Sequence, residues 1–374
     1  MKKRLLRTFS IVLAVIISLS VSLSVTSQAY AIEGKDKEIE SRVEEILKSM
    51  TLSEKIAQML LVSIPKQKPQ ATQEKWQFGG YILFADSFEK STPTKIRKKI
   101  KGIQKVSKAN MFIAVDEEGG TVVRVSKFKQ FRKTPYKSPR EVYKAGDWQG
   151  IQDDARWKSN FLKNLEINTN LAPVADVAYS KKDYIYSRAF STSASSTSKF
   201  IRLSVTEMNK RNCVSTLKHF PGYGNNGDTH KDVIVDKHSK EDFESKDLKP
   251  FEAGIKAGVP MIMVNHNIVK CFDSKNTASM SYKVHKYLRE EMGFDGIIVT
   301  DSLGMSGVKN KYGSKEEIAV KAVKAGNDML CTPYGITSRI AIRKAVMDGE
   351  IKESRIDSSV RRILRVKLKY GIIK

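Results

Sequence analysis

Short apolar runs recur along the chain, separated by polar loops or by stretches with helical spacing. Eight can be marked: Gln58–Ile64, Gly80–Phe84, Met111–Val115, Ile167–Val177, Cys213–His219, Met261–His266, Gly296–Thr300 and Asp328–Thr332. Each is rich in Val, Ile or Leu without strict alternation, the pattern of strands buried on both faces. Between them, Ile96, Ile100, Ile103 and Val106 fall on one side of a helix. Thr51-Leu52-Ser53-Glu54 has the form of a capping box, and Leu248–Ala257 and Ile318–Ala325 read as helices that each meet a Gly. Ile356–Leu368 carries basic and apolar residues at helical spacing and is expected to pack on the outside of the domain.

Alternating strands and helices predict a parallel sheet. Eight strands predict an α/β fold closed as a single (β/α)8 TIM-type barrel, with an open doubly wound sheet as the alternative. No Pro/Gly/Ser-rich linker interrupts the chain; Ser191–Ser198 is short and leads into a helix. One domain is therefore expected over residues 32–374.

The first 31 residues stand apart from this pattern. Lys2, Lys3, Arg4 and Arg7 precede the apolar, Ser-containing stretch Phe9–Val25, and Ala29-Tyr30-Ala31 fits a small-x-small cleavage site. Residues 1–31 are expected to be a secretory signal peptide cleaved after Ala31, leaving a secreted or cell-wall-associated protein. An uncleaved anchor is the alternative, although the run is just under the ~18–20 residues a spanning helix needs. No later segment is long and apolar enough to span, so no transmembrane segment is expected after cleavage.

Composition adds less. Hydrophobic residues make up 40% and charged residues 29%, as in a globular domain with a sizeable core. Cys213, Cys271 and Cys331 are too few and too scattered for a disulfide framework; they read as buried small residues with at most one bridge. The net charge of +25 draws the protein towards polyanions, which outside a cell means anionic wall polymers or membrane surfaces. No recognised nucleic-acid module accompanies the charge, so nucleic acid is not the expected partner.

In a barrel the chemistry gathers at the C-terminal ends of the strands. The third run leads into Asp116-Glu117-Glu118-Gly119-Gly120, with Arg124 beyond. The fifth ends in Lys218-His219-Phe220-Pro221-Gly222-Tyr223-Gly224, then a loop with Asp228, Thr229 and His230. The sixth ends in Asn265-His266, and the seventh leads to Asp301-Ser302-Leu303-Gly304-Met305. Asp301 at a strand end suits a rigidly held nucleophile, and equally a helix N-cap. Asp228 and His230, two apart on a loop, could form a dyad in which the carboxylate orients the imidazole, or could simply be solvated. Lys218 and His219 could hold hydroxyls of a ligand or form a buried structural pair. Asp116 with Arg124 could bind sugar hydroxyls or be an ion pair. His219, Asp228, His230 and His266 are also possible metal ligands, but they lack metal-site spacing, and neither metal nor cofactor is expected.

Taken together, Lys218-His219-Phe220-Pro221-Gly222-x-Gly224, Asp228-x-His230 and Thr300-Asp301-Ser302-Leu303-x-Met305 resemble glycoside hydrolase family 3, in its β-N-acetylglucosaminidase (β-N-acetylhexosaminidase) branch. Asp116 to Arg124, Ser187-Arg188-Ala189-Phe190, Ala172 to Val177 and Gly80 to Phe84 are similar to further segments of that family, in the same order. The resemblance implies Asp301 as the nucleophile, His230 as acid/base and Asp228 as its orienting partner. It implies that Asp116, Arg124, Arg188, Lys218 and His219 hold a terminal sugar.

The implied activity is a retaining exo-β-N-acetylglucosaminidase acting on peptidoglycan fragments or related glycans, through a glycosyl-enzyme on Asp301. A β-glucosidase, an N-acetylglucosaminide phosphorylase, an inactive wall-binding barrel and a metal-dependent hydrolase are the alternatives. Tyr223 stands where the family usually has His, Asn225-Asn226 where it has Asp-Thr, and the loop from His219 to His230 is one residue shorter. These departures bear on the reach of His230 and leave Asp301 untouched.

Overall fold

The computed structural model describes residues 34, 36–224, 226–227 and 233–374. The expected signal peptide, and Asp228 and His230, lie outside the described residues. The chain divides into two compact units, one ending at Ser49 and one spanning Met50–Lys374. Residues 36–49 of the first are helical, with Arg42 paired to Glu45 one turn away.

The second unit is the barrel. Its strands are β1 (Leu60–Ser63), β2 (Gly80–Ile82), β3 (Phe112–Val115), β4 (Thr169–Asn170), β5 (Val214–Phe220), β6 (Met261–Val264), β7 (Ile297–Thr300) and β8 (Leu330–Thr332). Each falls on one of the eight apolar runs. Neighbours in sequence are neighbours in space, all parallel, and β8 returns to β1 through Leu60↔Leu330 and Leu61↔Cys331. A bridge between Val299 and Met329 joins β7 to β8, with Thr300 N–H donating to Met329 O at 3.1 Å and Leu303 N–H to Cys331 O at 2.9 Å. This closure sets the open-sheet alternative aside. The fourth strand is much shorter than its apolar run, because Pro173 has no N–H to give to a ladder.

Every position of β3, β6 and β7 is buried, as expected of strands with side chains inside the barrel and helices outside. The helices begin where their sequences allow. Thr51, Ser138, Ser239 and Ser314 each form a capping box with the acidic residue three positions on. The helix Pro93–Lys105 buries Ile96, Ile100 and Ile103, and Val106 caps it.

Between the helix Ala194–Lys210, the helix Lys249–Lys256 and strands β5 and β6 lies an aromatic core. Phe190 stacks on Phe200 at 4.7 Å, and Phe220 meets Phe251 edge-on at 5.2 Å. Each fully buried ring or branched side chain contributes about 1.5–3 kcal/mol. Gly254 lets its helix approach β5 closely, since a Cβ there would lie 2.3 Å from Leu217 Cδ1. All three cysteines are free, two of them buried. No helix among the described residues is long and apolar enough to cross a membrane.

The C-terminal helix Glu353–Lys369 packs outside the barrel, but not all of its basic residues reach water. Lys367 is fully buried, with Nζ donating to Gln58 Oε1 at 2.7 Å. Burial pushes its amine down to about 7.

Candidate active site

A cleft of about 780 Å³ opens at the C-terminal ends of the strands. Its lining includes Asp116 and Glu118 beyond β3, Arg188 beyond β4, Lys218 and His219 from β5, and Asp301 beyond β7. Ile82, Leu171, Met263 and Cys331 are buried residues that complete the wall. Phe84 and Tyr184 are its more exposed aromatics.

The segment after β3 is held by its own backbone chemistry. Glu117 is fully buried and accepts from the N–H groups of Arg124 (3.0 Å), Val125 (2.8 Å) and Ser126 (3.2 Å). Asn170 at the end of β4 accepts from Glu117 N–H at 3.0 Å and donates to its carbonyl at 3.2 Å. The hairpin turns at Gly119 and Gly120, both with positive φ, where a side chain would be strained. Glu117 is thus a structural anchor, and it delivers Asp116, Glu118 and Arg124 to the cleft.

At the cleft floor Lys218 Nζ lies 2.7 Å from both Asp116 Oδ1 and Glu118 Oε1. Arg188, at the end of the 3₁₀ turn Tyr184–Ser187, makes a two-pronged contact with Glu118. Burial alone would raise the Glu118 carboxyl, but the charges of Lys218 and Arg188 outweigh it and hold the group well below the usual carboxylate range. Burial likewise opposes the charge of Lys218, and Asp116 and Glu118 overcome it, so its amine is raised. Arg124 Nε sits 3.7 Å from Asp116 Oδ2, an ion pair too long for a hydrogen bond. The Nε atom is buried and has no hydrogen-bond partner among the described residues.

His219 is oriented from below. Its Nδ1 is 2.7 Å from Asp176 Oδ2, and a carboxylate oxygen only accepts, so Nδ1 carries the proton. Asp176 also accepts from His219 N–H at 3.1 Å and from Tyr223 N–H at 2.8 Å. Arg188 Nη2 lies 3.2 Å from His219 Nε2.

Asp301 is half-buried just beyond β7. Its N–H donates to Val264 O at 2.9 Å, and its Oδ1 accepts from Ser302 N–H at 2.7 Å. The next helix, Ser306–Tyr312, has Met305 at its N-cap with no side-chain cap, so Asp301 is not a helix cap. Burial raises its carboxyl, but His219, His266, the Ser302 N–H and Lys218 together outweigh burial and lower it.

Of the residues expected from sequence, Asp116, Arg124, Arg188, Lys218, His219 and Asp301 all line one cleft. The stems of the loop carrying Asp228 and His230 are described, although those two residues are not. Asn226 Nδ2 donates to Asp236, and Asp236 also accepts from His238 N–H at 2.9 Å. His238 stacks on Tyr179 with ring centroids 5.1 Å apart, and Tyr179 donates to Asp247 Oδ2 at 2.7 Å. Asp247 is buried, and burial first of all pushes its carboxyl up to about 7. Glu118 and Asp176 were not singled out from sequence as site residues. Both stand inside motifs that were, as the third residue of Asp116-Glu117-Glu118 and the acid within Ala172–Val177.

Residues 51–366 match the family model of the glycosyl hydrolase family 3 N terminal domain. The chain is 28% identical over 324 residues to beta-hexosaminidase A of Pseudoalteromonas piscicida, covering 79% of this chain and 54% of that protein. It is 31% identical over 256 residues to a beta-hexosaminidase of Haemophilus influenzae, covering 67% of this chain and 71% of that protein. A solved structure of a glycoside hydrolase family 3 beta-N-acetylglucosaminidase from a Paenibacillus species superposes with a TM-score of 0.80 at 27% identity, over 87% of this chain and 63% of that one. The chain thus spans about half the length of the first of these relatives and under two thirds of the solved one.

Proposed function

Since the chain belongs to glycosyl hydrolase family 3, we propose that it is a retaining, exo-acting β-N-acetylglucosaminidase. It removes a terminal N-acetylglucosamine from peptidoglycan fragments or related glycans. Relatives named beta-hexosaminidase support the activity, as does the resemblance to a beta-N-acetylglucosaminidase structure. The observation that carries the reading is Asp301: an ionised carboxylate, fixed at a strand end, bordering a cleft whose floor is lined with hydrogen-bonding charges.

In this reading Asp116, Arg124, Arg188, Lys218 and His219 hold the hydroxyls of one sugar ring. Asp301 attacks its anomeric carbon, the leaving oxygen is protonated, and water then releases the sugar with retained configuration. Retaining enzymes ordinarily use a second carboxyl as acid/base. Among the described residues, the other carboxylates lining the cleft are Asp116 and Glu118, and both are paired with Lys218. Neither is suited to carry the proton. That favours the loop pair Asp228 and His230 for the role, an imidazole being able to give and take a proton near neutral pH.

We assign the barrel to the exported part of the chain, after a signal peptide over residues 1–31. Without the four basic residues of 1–31 the remaining chain still carries +21, which suits residence among anionic wall polymers. The test is release of 4-nitrophenol from its β-N-acetylglucosaminide and β-glucoside, by the protein and by Asp301→Ala and His230→Ala variants. The expected result is activity on the first substrate, abolished in Asp301→Ala and reduced in His230→Ala. No activity from folded protein would move the assignment to a wall-binding barrel. A parallel reaction in phosphate, analysed for sugar 1-phosphate, separates hydrolysis from phosphorolysis.

A further inference from the structure

His266 is buried just beyond β6, beside the turn that carries Asp301. Its Nε2 lies 3.1 Å from the carbonyl oxygen of Ser302, and its Nδ1 lies 2.7 Å from Ser279 Oγ. A carbonyl oxygen only accepts, so Nε2 carries a proton and donates it. The Ser279 hydroxyl can give or take, so Nδ1 keeps its bond whether or not the ring carries a second proton.

Ser279 is itself fixed. Its N–H donates to Asn265 O at 3.0 Å, and its carbonyl accepts from Asn327 Nδ2 at 2.7 Å. On the other side, Ser302 N–H holds Asp301 Oδ1 at 2.7 Å. One ring thus ties a rigid buried wall to the residue whose backbone positions the nucleophile, and it lends positive potential to the space around that carboxylate.

We propose that His266 is a positioning residue that keeps Asp301 a good leaving group, and so sets the rate at which the covalently held sugar is released. The inference rests on Asp301 being the nucleophile. In the first step an Asp301 oxygen bonds to C1 while the C1–O bond to the aglycone breaks, and the departing oxygen takes a proton. In the second, a water oxygen bonds to C1 and the C1–O bond to Asp301 breaks. That electron pair returns to the carboxylate, and the water proton goes to the base. Stabilising the carboxylate makes it a slightly weaker nucleophile in the first step and a better leaving group in the second. Removing His266 therefore makes release the slow step.

Two variants separate the hold at Ser302 from the imidazole itself. His266→Gln keeps an N–H able to reach the Ser302 carbonyl but loses the ring and its support of the Asp301 carboxylate, and His266→Phe removes both. On 4-nitrophenyl β-N-acetylglucosaminide, bond cleavage to the aglycone is fast, which exposes the second step. His266→Gln is expected to lower kcat about tenfold with KM falling in parallel, so that kcat/KM stays within about twofold. Rapid mixing should show a burst of 4-nitrophenol equal to the enzyme concentration. His266→Phe should add a loss in kcat/KM as the turn loosens, and thermal melting of each variant checks its fold. Unchanged kcat in His266→Gln, or an equal fall in kcat and kcat/KM with no burst, overturns the inference. An active Asp301→Ala variant, or an inactive parent protein, overturns instead the reading on which it rests.

Discussion

Arg188 grips Glu118 with both prongs of its guanidinium, Nε to Oε2 at 3.0 Å and Nη2 to Oε1 at 2.7 Å, across 70 residues of sequence. Glu118 Oε1 also receives Lys218 Nζ at 2.7 Å. One carboxylate therefore bridges two buried cations from different strand ends, with Asp116 as the second carboxylate on Lys218.

Replacing Glu118 takes from Arg188 its carboxylate partner and leaves Lys218 with Asp116. Glu118→Gln is expected to cost about 3–5 kcal/mol of stability, the usual result of removing one member of a buried ion cluster. It should also lower kcat/KM at least 100-fold. Chemical denaturation and steady-state kinetics check the two parts.

Asp176 accepts three N–H groups on two oxygens: His219 N–H, His219 Nδ1–H and Tyr223 N–H. An amide would turn a donor towards one of them. Asp176→Asn should therefore cost about 1–3 kcal/mol. It should also release both the His219 ring and the start of the loop after Tyr223. The expected kinetic effect is a 10–100-fold loss in kcat/KM, comparable with other losses of an orienting partner. Equal activity in Asp176→Asn would remove the orienting role.

Asp247 has its folded-state carboxyl raised to about 7, so between pH 4 and 7 the folded protein binds more protons than the unfolded one. Stability from this group is present at low pH and is lost as pH rises towards 7. Asp247→Asn should remove that slope and be more stable than the parent at pH 8, by on the order of a few kcal/mol. Melting temperatures measured from pH 5 to 8 in both proteins would show it.

Lys367 works in the opposite sense. Its folded-state amine is lowered to about 7 from 10.5, so above pH 7 the unfolded chain binds more protons. The parent should gain stability between pH 7 and about 10. Lys367→Met should flatten that rise and be more stable at pH 7, less the cost of leaving Gln58 Oε1 without its donor. A melting series across that range for both proteins decides it.

What could be read from sequence, and what could not, follows from the range of the interactions. Parallel strands are apolar on both faces, so all eight appeared as apolar runs, and caps such as Thr51–Glu54 are local and equally visible. Asp116, Arg188, Lys218 and Asp301 were visible as polar residues next to strand ends and through family resemblance. Their pairing was not, since Lys218 meets Asp116 across 102 residues. Asp176 lies within an apolar run and Lys367 on an amphipathic helix, and no local pattern distinguishes a buried charge from a solvated one there. His266 stood out at the rim as one of several possible metal ligands, and only the placement of Ser279 and Ser302 gives it a different task.

The cleft lining brings three carboxylates, Asp116, Glu118 and Asp301, together with Arg124, Arg188 and Lys218. Formal charges there cancel, although the chain as a whole carries +25. Added salt should screen the long-range field of the surface while leaving the attraction for an uncharged sugar almost untouched, because these pairs are buried and close. KM for a neutral glycoside is therefore expected to be nearly independent of ionic strength, whereas adhesion to a polyanion weakens steeply. Salt can thus free the protein from a polyanion without weakening its hold on a neutral sugar.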